Sequence, residues 1–595
     1  MVQKTKRGQK IWRNFTKGWH EFWERRAKHF EQMFVGRIEN AKQARLWIVE
    51  WALLLTAIFL LAWVQIIWYG AAYDTQAVKE GGGFSEAVVG KINSMNPLYA
   101  ATSAEKTLAK LLFANVVATD YAAHNKAELA ETVTHDAQRK VWTVKLRQNL
   151  KWSDGAPITA DDLTYTVALL NDPAAKTTVR VDFGKVKVEK KDDLTVVFTL
   201  PTAFNAFLEN LNFPLVPVHK LADTKPALVY ESAFSKQPVS SGPFKFNAMQ
   251  GASGQGKALQ TIYLYRNEYY ARGATLLDNF TLKSYTNTAD VLDAMQKREV
   301  KATAELSALM PGAKELEKSF NHRNSGLNAA VFAFFNTDGE LTKNKALRQA
   351  IQCGVNLQSV RDQAGETLRP LSYPILKSQI KLEEPTLPVF DTAMAGKLMR
   401  QAGYRKGKEG EWLDQNGKKV SLRMTTVNRP ILRELAEALK KEIEAMGIKV
   451  QLSQFDEAGQ ERDFFSSVVA PRDYDILLYT ADLGVEADPF VYYSSTQANT
   501  FGWNFSNYKN SLVDDALLSA RRTAREDLRQ AKLELFLKHW VRDVPALALG
   551  QMSLDYYYAF GTKIYNEGVR LSSATDRFYT ISTWASKEGE VKMTP

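Results

Sequence analysis

The chain has 595 residues, which is too long for one hydrophobic core and predicts two or more domains. Apolar residues make up 45% of it and charged residues 24%, the usual balance of a protein that folds. Its net charge of +11 is uneven, because residues 1–70 contain twelve Lys or Arg and five Glu, which leaves only +4 for the other 525 residues. A nucleic-acid footprint needs clustered basic side chains, so this distribution argues against nucleic acid as a partner of the main body.

The N-terminal region has a helical pattern of aromatic residues. Between residues 11 and 38, Trp, Phe and Ile recur at spacings of three and four, which is typical of one face of a helix, and basic residues such as Lys17 and Arg25 occupy the other faces. This pattern predicts that residues 1–46 form a cytoplasmic basic amphipathic helix on the anionic inner leaflet. A helix that packs on a cytoplasmic partner is the alternative.

An apolar segment of 22 residues follows, from Trp51 to Ala72. About 20 helical residues cross a bilayer core, so its length predicts a transmembrane helix over residues 47–72. Twelve basic residues precede the segment and the first one after it is Lys79, which places the N-terminus inside and the main body outside the cell membrane. Cleavage at the small pair Gly70 and Ala72, as in a secretory signal, is the alternative.

The main body alternates strand-like and helix-like segments without a repeat. Strands are predicted at residues 140–152, 194–200, 261–267 and 448–455, and a helix with a leucine-rich face at residues 428–447. Thr159 is predicted to cap a helix whose first turn carries Asp161 and Asp162, which gives this acidic stretch a structural role. These patterns predict a mixed α/β body.

The residues of common catalytic centres are absent from the sequence. There is no His-Glu-x-x-His helix, Cys-x-x-Cys pair or Gly-x-Ser-x-Gly elbow, and the seven His residues are not spaced as metal ligands. The single cysteine, Cys353, cannot form an intrachain disulfide and has the apolar neighbours of a buried residue. We therefore expect no enzyme activity, metal or cofactor.

Seven segments of the main body occur in an order that resembles one known family. They are "NSMNPLYA" (93–100), "WTVKLRQNLKWSDGAPITADDLTYTVALLNDP" (142–173), "VSSGPFKF" (239–246), "YRNEYYARG" (265–273), "FNTDGELTKNKALRQAIQCGVN" (335–356), "YDILLYTADLGVEADPFVYYSS" (474–495) and "NFSNYKNSLVDDALLSARR" (504–522). The second segment is specific by itself. Together they are similar to the extracellular solute-binding proteins of family 5, the peptide and nickel class that serves ABC importers.

The resemblance implies an α/β, two-lobed periplasmic-binding-protein-like fold with a hinge and an inserted subdomain, here preceded by one transmembrane helix. By the family's layout, the bounds are 73–82 for a linker, 83–305 plus 550–595 for lobe I, about 100–238 for its inserted subdomain, and 306–549 for lobe II. The ligand would be enclosed between the lobes, where hinge closure buries it.

The resemblance also implies binding residues in lobe II. The family's Trp-x-x-Asp segment corresponds to residues 479–482, with Tyr479 in place of the Trp, followed by Thr480. Asp482 would hold the α-ammonium group of the ligand through a charge-assisted hydrogen bond. A solvated carboxylate at the end of a strand is the alternative for Asp482.

Other ligand-binding candidates lie outside that segment. Thr102 and Ser103 fall where the family lines the opposite wall of the cleft. Trp503 and Asn504 are further candidates, and buried packing is the alternative for Trp503.

The function implied is a membrane-anchored, extracellular protein that captures peptides for ABC-type permease subunits. Lipoprotein members of the family carry a cysteine after a short signal, and this chain does not, so the helix at 47–72 would be the anchor. Another solute, such as an oligosaccharide or a metal chelate, is an alternative ligand. A ligand-sensing receptor or scaffold is the alternative from another class, because a carrier alone needs no cytoplasmic helix.

Overall fold

The computed structural model describes most of the chain in two compact units. It covers residues 23–28, 41–78, 80–120, 125–179, 183–251, 258–308, 310–363, 368–455, 464–500, 502–564, 570–586 and 588–592. One unit comprises Met1–Ala77 with Gly589–Pro595, and the other comprises Val78–Glu588. Of the amphipathic helix predicted for 1–46, residues 23–28 and 41–46 are helical, and the rest lies outside the described residues.

The helices are bounded as follows, in chain order. They are α1 Ala41–Tyr73, α2 Ser103–Leu112, α3 Ala160–Asn171, α4 Phe207–Asn210, α5 Val218–Leu221, α6 Thr288–Gln296, α7 Ala313–Leu316, α8 Lys345–Gly354, α9 Leu357–Asp362, α10 Thr392–Gln401, α11 Pro430–Ala445, α12 Phe490–Tyr493, α13 Ser511–Arg522 and α14 Glu526–Asp543.

The strands are bounded in the same way. They are β1 Asp74–Val78, β2 Gly83–Val89, β3 Val117–Thr119, β4 Asn125–Ala127, β5 Ala130–His135, β6 Val141–Leu146, β7 Lys187–Asp192, β8 Thr195–Thr199, β9 Phe244–Gly251, β10 Gln260–Arg266, β11 Asn279–Tyr285, β12 Ala302–Thr303, β13 Phe320–Phe335, β14 Leu368–Arg369, β15 Arg405–Lys406, β16 Trp412–Leu413, β17 Ser421–Val427, β18 Lys449–Phe455, β19 Ile476–Asp482, β20 Ala546–Ala559, β21 Arg570–Leu571 and β22 Glu588–Lys592.

In the first unit, the predicted apolar segment lies within α1, a helix of 33 residues. Its apolar side chains are largely exposed, among them Trp47, Phe59 and Leu61 at 67%, 74% and 68%. Across the described residues, no helix combines the length and hydropathy needed to cross a membrane. The transmembrane helix predicted at 47–72 is therefore not confirmed. Strand β1, which pairs with β22, occupies part of the predicted linker at 73–82.

The second unit is organised by one large sheet with the strand order β18-β17-β19-β13-β20-β12-β2-β11-β10-β9. Strands β13 and β20, of 16 and 14 residues, form an antiparallel pair at its centre. On one side β17 runs parallel to β18 and β19, and on the other β2 runs parallel to β11 and β12.

Two large hydrophobic cores flank the central pair of strands. The core of lobe I draws on residues from Phe84 to Ala302 and from Tyr556 to Trp584. The core of lobe II draws on residues from Ala330 to Leu549. Strands β13 and β20 contribute to both halves of the unit, so the chain passes twice between the lobes through them.

A separate antiparallel sheet, in the order β5-β6-β8-β7, packs with α3 within lobe I. The predicted cap of α3 is confirmed: the Thr159 hydroxyl accepts the Asp161 N–H, and the Asp162 carboxylate accepts the Thr159 N–H at 2.8 Å. Asp162 is buried and also accepts the Val218 N–H at 2.9 Å, which ties α3 to α5. The acidic stretch is therefore structural, as the sequence predicts.

Candidate functional site

The carboxyl ends of the parallel strands meet a shared space. Ligands of open α/β sheets bind beyond these ends, because the loops that follow the strands leave a crevice there. Strand β2 is followed by Gly90, β12 by Ala304 and Glu305, and β17 by Asn428 and Arg429. Four of these five residues, all except Asn428, line one cavity.

This cleft cavity has a volume of about 960 Å³. Its wall also includes one face of α2, the turn before α2, the segment Ser573–Thr575 and residues around Thr178 and Pro214. Small-molecule sites commonly enclose about 300–1,000 Å³. The cavity is therefore large enough for a ligand of several residues.

Thr102 and Ser103, predicted to line the cleft, are both in the cavity wall. The Thr102 hydroxyl accepts the Glu105 N–H at 3.1 Å, while the Glu105 carboxylate accepts the Thr102 N–H at 3.1 Å, which forms a capping box for α2. The Ser103 hydroxyl donates to the Glu305 carboxylate. Both hydroxyls therefore lie in the wall of the cavity and form hydrogen bonds with other protein groups.

A buried ion pair fixes the wall behind α2. Glu86 and Arg577 are 0% and 4% exposed, and Arg577 donates to the Glu86 carboxylate through Nε at 3.1 Å and through Nη2. The Tyr556 hydroxyl donates to the second Glu86 oxygen at 2.9 Å. Because its carboxylate and guanidinium are matched, the pair positions the Arg577 side of the cavity rigidly.

Asp482 ends β19, and its carboxylate is accessible to solvent. The Gly484 N–H donates to its Oδ1 at 2.9 Å, and its own N–H donates to the Tyr492 hydroxyl at 3.0 Å. Among the described residues, none forms an ion pair with it. The surrounding protein partly desolvates the carboxylate, which raises the pKa of Asp482. The negative charge of Asp576 raises this pKa further.

Asp576 connects Asp482 to the cleft cavity. It lies in the 3₁₀ turn Ala574–Phe578, next to the wall segment Ser573–Thr575, and accepts the Ser573 N–H at 2.7 Å. Burial raises the pKa of Asp576, whereas the positive charge of Lys110 acts to lower it. Asp482 of lobe II and Lys110 of lobe I therefore both lie within electrostatic range of one buried carboxylate.

The other predicted residues of β19 are partly packed. The Tyr479 ring lies 5.7 Å from the Phe505 ring and 6.3 Å from the Phe464 ring, measured between centroids. The Thr480 hydroxyl lies 3.8 Å from the sulfur of Met552. Both side chains are half-buried, so each retains some surface toward solvent.

Trp503 and Asn504 differ in their surroundings. Trp503 is 37% exposed, with its ring 5.7 Å from that of Phe505. Asn504 is fully buried: its amide donates to the carbonyls of Ser494 and Tyr508 at 2.9 and 2.8 Å and accepts the Tyr508 N–H at 3.1 Å. The polar atoms of Asn504 are therefore engaged by the backbone around them.

Lobe I contacts lobe II through residues that no sequence motif indicated. The Asn205 amide donates to the carbonyl of Ala520 at 3.0 Å and to that of Thr523, and the Asn205 N–H donates to the Arg521 carbonyl at 2.9 Å. Glu209 accepts the Glu486 N–H. These contacts hold the two sides of the cleft together.

Glu209 lies in an acidic environment. Burial raises its pKa to about 8, and the nearby charges of Glu486, Asp488 and Asp482 raise it in the same direction. Arg521 pairs with Asp488 at 2.6 Å, and Arg529 pairs with Glu486 at 3.2 Å. Among the described residues, this cluster included, no group of three His, Cys, Asp or Glu side chains is placed to hold a metal ion.

Comparison with known proteins identifies the family. Residues 126–503 match the profile described as "Bacterial extracellular solute-binding proteins, family 5 Middle", which is more than half of the chain. The chain belongs to this family. The oligopeptide-binding protein AppA of Bacillus subtilis is 25% identical over 482 residues, which cover 78% of this chain and 86% of AppA.

Solved structures of the family share the fold. The structure of Bacillus subtilis AppA with a nonapeptide has a TM-score of 0.68 at 22% identity and covers 86% of this chain and 99% of that one. NikZ of Campylobacter jejuni with Ni(L-His) has a TM-score of 0.70 at 21% identity, with coverages of 84% and 99%. The protein is thus a two-lobed α/β solute-binding protein of the ABC-importer type and not an enzyme.

Proposed function

We propose that this protein captures peptides between its two lobes and delivers them to the permease subunits of an ABC importer. The cleft cavity, which lies at the strand ends of lobe I and is reached by Arg429 of lobe II, carries this proposal. Relatives named as oligopeptide-binding proteins favour peptides over other solutes. We keep the bounds 83–305 with 550–595 for lobe I and 306–549 for lobe II as part of the proposal.

Asp482 would bind the α-ammonium group of the peptide. Its carboxylate is accessible, has no ion-pair partner among the described residues and is partly desolvated by the protein around it. A desolvated carboxylate gains a charge-assisted hydrogen bond when a cation arrives, so it selects ligands with a free amino group. Tyr479, Thr480, Thr102, Ser103 and Trp503 would complete the walls.

The anchor of the protein would be α1. A soluble helix rarely exposes so many large apolar side chains, and Trp51, Leu53 and Trp63 are 59%, 64% and 62% exposed. Contact with lipid would remove this surface from water. The protein would then be single-pass in the cell membrane, with its N-terminus inside and its main body outside, where the solute is met.

Native mass spectrometry of the full-length protein, purified in detergent, tests the proposed ligand class. We expect bound peptides to be released from the wild type and from the Asp515→Asn control, which removes an exposed charge. Asp482→Asn should retain much less peptide. A bound solute that is not a peptide, or equal retention by both variants, would contradict the proposal.

The anchor has a separate test. After cell fractionation, the wild type should stay with membranes when they are washed with high salt or alkaline carbonate, and its N-terminal residues should still be present. Release into the soluble fraction, or an N-terminus that begins after Ala72, would refute the anchor.

A further inference from the structure

A group of aromatic side chains in lobe II packs together beside the cleft. Its members, called the aromatic cluster, are Phe464, Phe465, Tyr479, Tyr492, Trp503 and Phe505. The Phe505 ring is central, with the rings of Tyr479 and Trp503 both at 5.7 Å between centroids. The ring of Tyr492 lies 6.2 Å from that of Phe505, and the ring of Phe465 lies 6.4 Å from that of Trp503.

The aromatic cluster lies at the carboxyl ends of the parallel strands of lobe II, since β17 runs parallel to both β18 and β19. Phe455 is the last residue of β18, and its ring lies 5.2 Å from that of Phe464. The Phe455 carbonyl accepts the Asn428 N–H at 2.7 Å. The residue after Asn428 is Arg429, which lines the cleft cavity. The aromatic cluster therefore borders the lobe II end of that cavity.

The aromatic cluster also adjoins Asp482, the carboxylate proposed to bind the peptide ammonium group. Asp482 follows Tyr479 by three residues on β19. The Tyr492 hydroxyl accepts the Asp482 N–H at 3.0 Å, so one member of the aromatic cluster contacts Asp482 directly. An extended chain advances only about 3.3 Å per residue. A peptide held at Asp482 would therefore place its first side chains near the aromatic cluster.

The rings of the aromatic cluster differ in burial. Three of them are buried in the core of lobe II, namely Phe464, Tyr492 and Phe505. Trp503 is 37% exposed, while Tyr479 and Phe465 are half-buried. The partly exposed rings therefore rest on a closely packed base.

Contact between the lobes does not cover Trp503. Lobe I already touches lobe II through Asn205 and Glu209. Trp503 keeps its exposed surface in this arrangement of the lobes. Exposed apolar surface often marks an interaction site, and Trp and Tyr are frequent anchors there. A ligand in the cleft could therefore bury the surface that lobe I leaves exposed.

The backbone on both sides of Trp503 is fixed by buried polar side chains. The Arg472 guanidinium donates to the carbonyl of Gly502 at 2.8 Å and to that of Asn499 at 3.2 Å. On the other side of Trp503, the Asn504 amide donates to two backbone carbonyls. Trp503 is therefore held in position before a ligand arrives, which lowers the entropic cost of a contact with it.

We propose that Trp503, with Tyr479 and Phe465, forms a subsite for an apolar side chain of the ligand, so that the preferred ligands are peptides with a large apolar residue among their first three. The proposal rests on the proposed peptide function and specifies its substrate class. Asp482 would bind the peptide ammonium group, and the subsite would bind a side chain close to it. This side chain would stabilise the complex because its apolar surface and that of Trp503 leave water together.

Isothermal titration calorimetry on the full-length protein in phosphatidylcholine nanodiscs tests the subsite. The probes are tetra-alanine and the same peptide with one Phe at position 1, 2 or 3. The wild type should bind at least one Phe peptide about tenfold more tightly than tetra-alanine, since burial of a large apolar side chain contributes this much. The heat-capacity change of binding should also be more negative for that Phe peptide, because it buries more apolar surface.

Variants assign the preference to Trp503. In Trp503→Ser, the Phe peptide should lose most of its advantage over tetra-alanine, and the difference in heat-capacity change should shrink with it. Trp503→Phe, which keeps an aromatic ring, should keep the preference. Leu512→Ser is the matched control, because it removes a side chain of α13 that is 57% exposed and lies outside the aromatic cluster. This control should show the wild-type preference.

The outcomes separate the two proposals. If the Phe peptides and tetra-alanine bind the wild type equally at every position, the subsite is refuted while peptide binding stands. The same holds if the full preference survives in Trp503→Ser, or if Leu512→Ser loses it to the same extent. If none of the peptides binds the wild type, the peptide function fails, and the subsite fails with it.

Discussion

Closure of the cleft should depend on pH through Glu209. This residue of lobe I accepts the Glu486 N–H of lobe II, and burial beside Glu486, Asp488 and Asp482 raises its pKa to about 8. When the lobes separate, Glu209 is hydrated again and its pKa returns toward the ordinary 4.5. At a pH between these two pKa values, Glu209 carries a proton in the closed form and has lost it in the open form.

The direction and size of the effect follow from proton linkage. Closure is favoured at low pH and is weakened as pH rises from about 4.5 toward about 8. One proton changes the ratio of closed to open forms by at most about tenfold per pH unit.

Energy transfer between dyes on the two sides of the cleft measures how the closed fraction changes with pH. The dyes are attached to cysteines that replace the exposed residues Lys236 and Lys418. The native Cys353 is buried. From pH 5.5 to 8.5 the closed fraction of the ligand-free wild type should fall. Glu209→Gln, which cannot ionise, should show little change with pH.

Glu231→Gln is the matched control, since Glu231 is an exposed residue of the same lobe. The closed fraction of this variant should change with pH as it does in the wild type. The reasoning would be refuted if the closed fraction of the wild type did not change with pH. It would also be refuted if the closed fraction of Glu209→Gln changed with pH as much as that of the wild type.

Two further substitutions test the contacts around the cleft. Arg577→Met should lower the free energy of unfolding by about 3–5 kcal/mol, because it leaves the fully buried Glu86 without its partner. Chemical denaturation should show this loss, whereas Lys509→Met, which breaks an exposed pair with Asp338, should cost at most about 1 kcal/mol. Equal losses would be inconsistent with a buried pair. Asn205→Ala removes two side-chain hydrogen bonds to lobe II and should weaken ligand affinity by roughly 1–3 kcal/mol in calorimetry. An unchanged affinity would mean that this contact is equally formed in the open state.

Local patterns in the sequence predicted the elements well. The predicted strands at 194–200, 261–267 and 448–455 appear as β8, β10 and β18 with shifts of one residue, and the leucine-rich helix appears as α11. The strand predicted at 140–152 stops at Leu146, since the chain turns at Asn149, whose φ is +59°. Such patterns work because burial of one face of a strand or helix is a local property of spacing.

The resemblance to family 5 predicted the two-lobed fold but not the contacts of every side chain. Asn504 follows Trp503 in the expected wall, yet its amide is turned into the backbone, and residue type alone does not indicate this orientation. Glu209 and the pair of Glu86 with Arg577 were missed, because their partners lie hundreds of residues away. Contacts of this kind depend on the tertiary arrangement and leave no periodic signal.

The central claim is that a peptide binds in the cleft with its amino group at Asp482. Calorimetry with one peptide, free and N-acetylated, tests this most directly on the full-length wild type and Asp482→Asn. Acetylation should weaken binding to the wild type by roughly 10- to 100-fold, the value of a hydrogen bond between charged groups, and should have little effect on Asp482→Asn. Equal binding of the free and acetylated peptides by the wild type would contradict the claim.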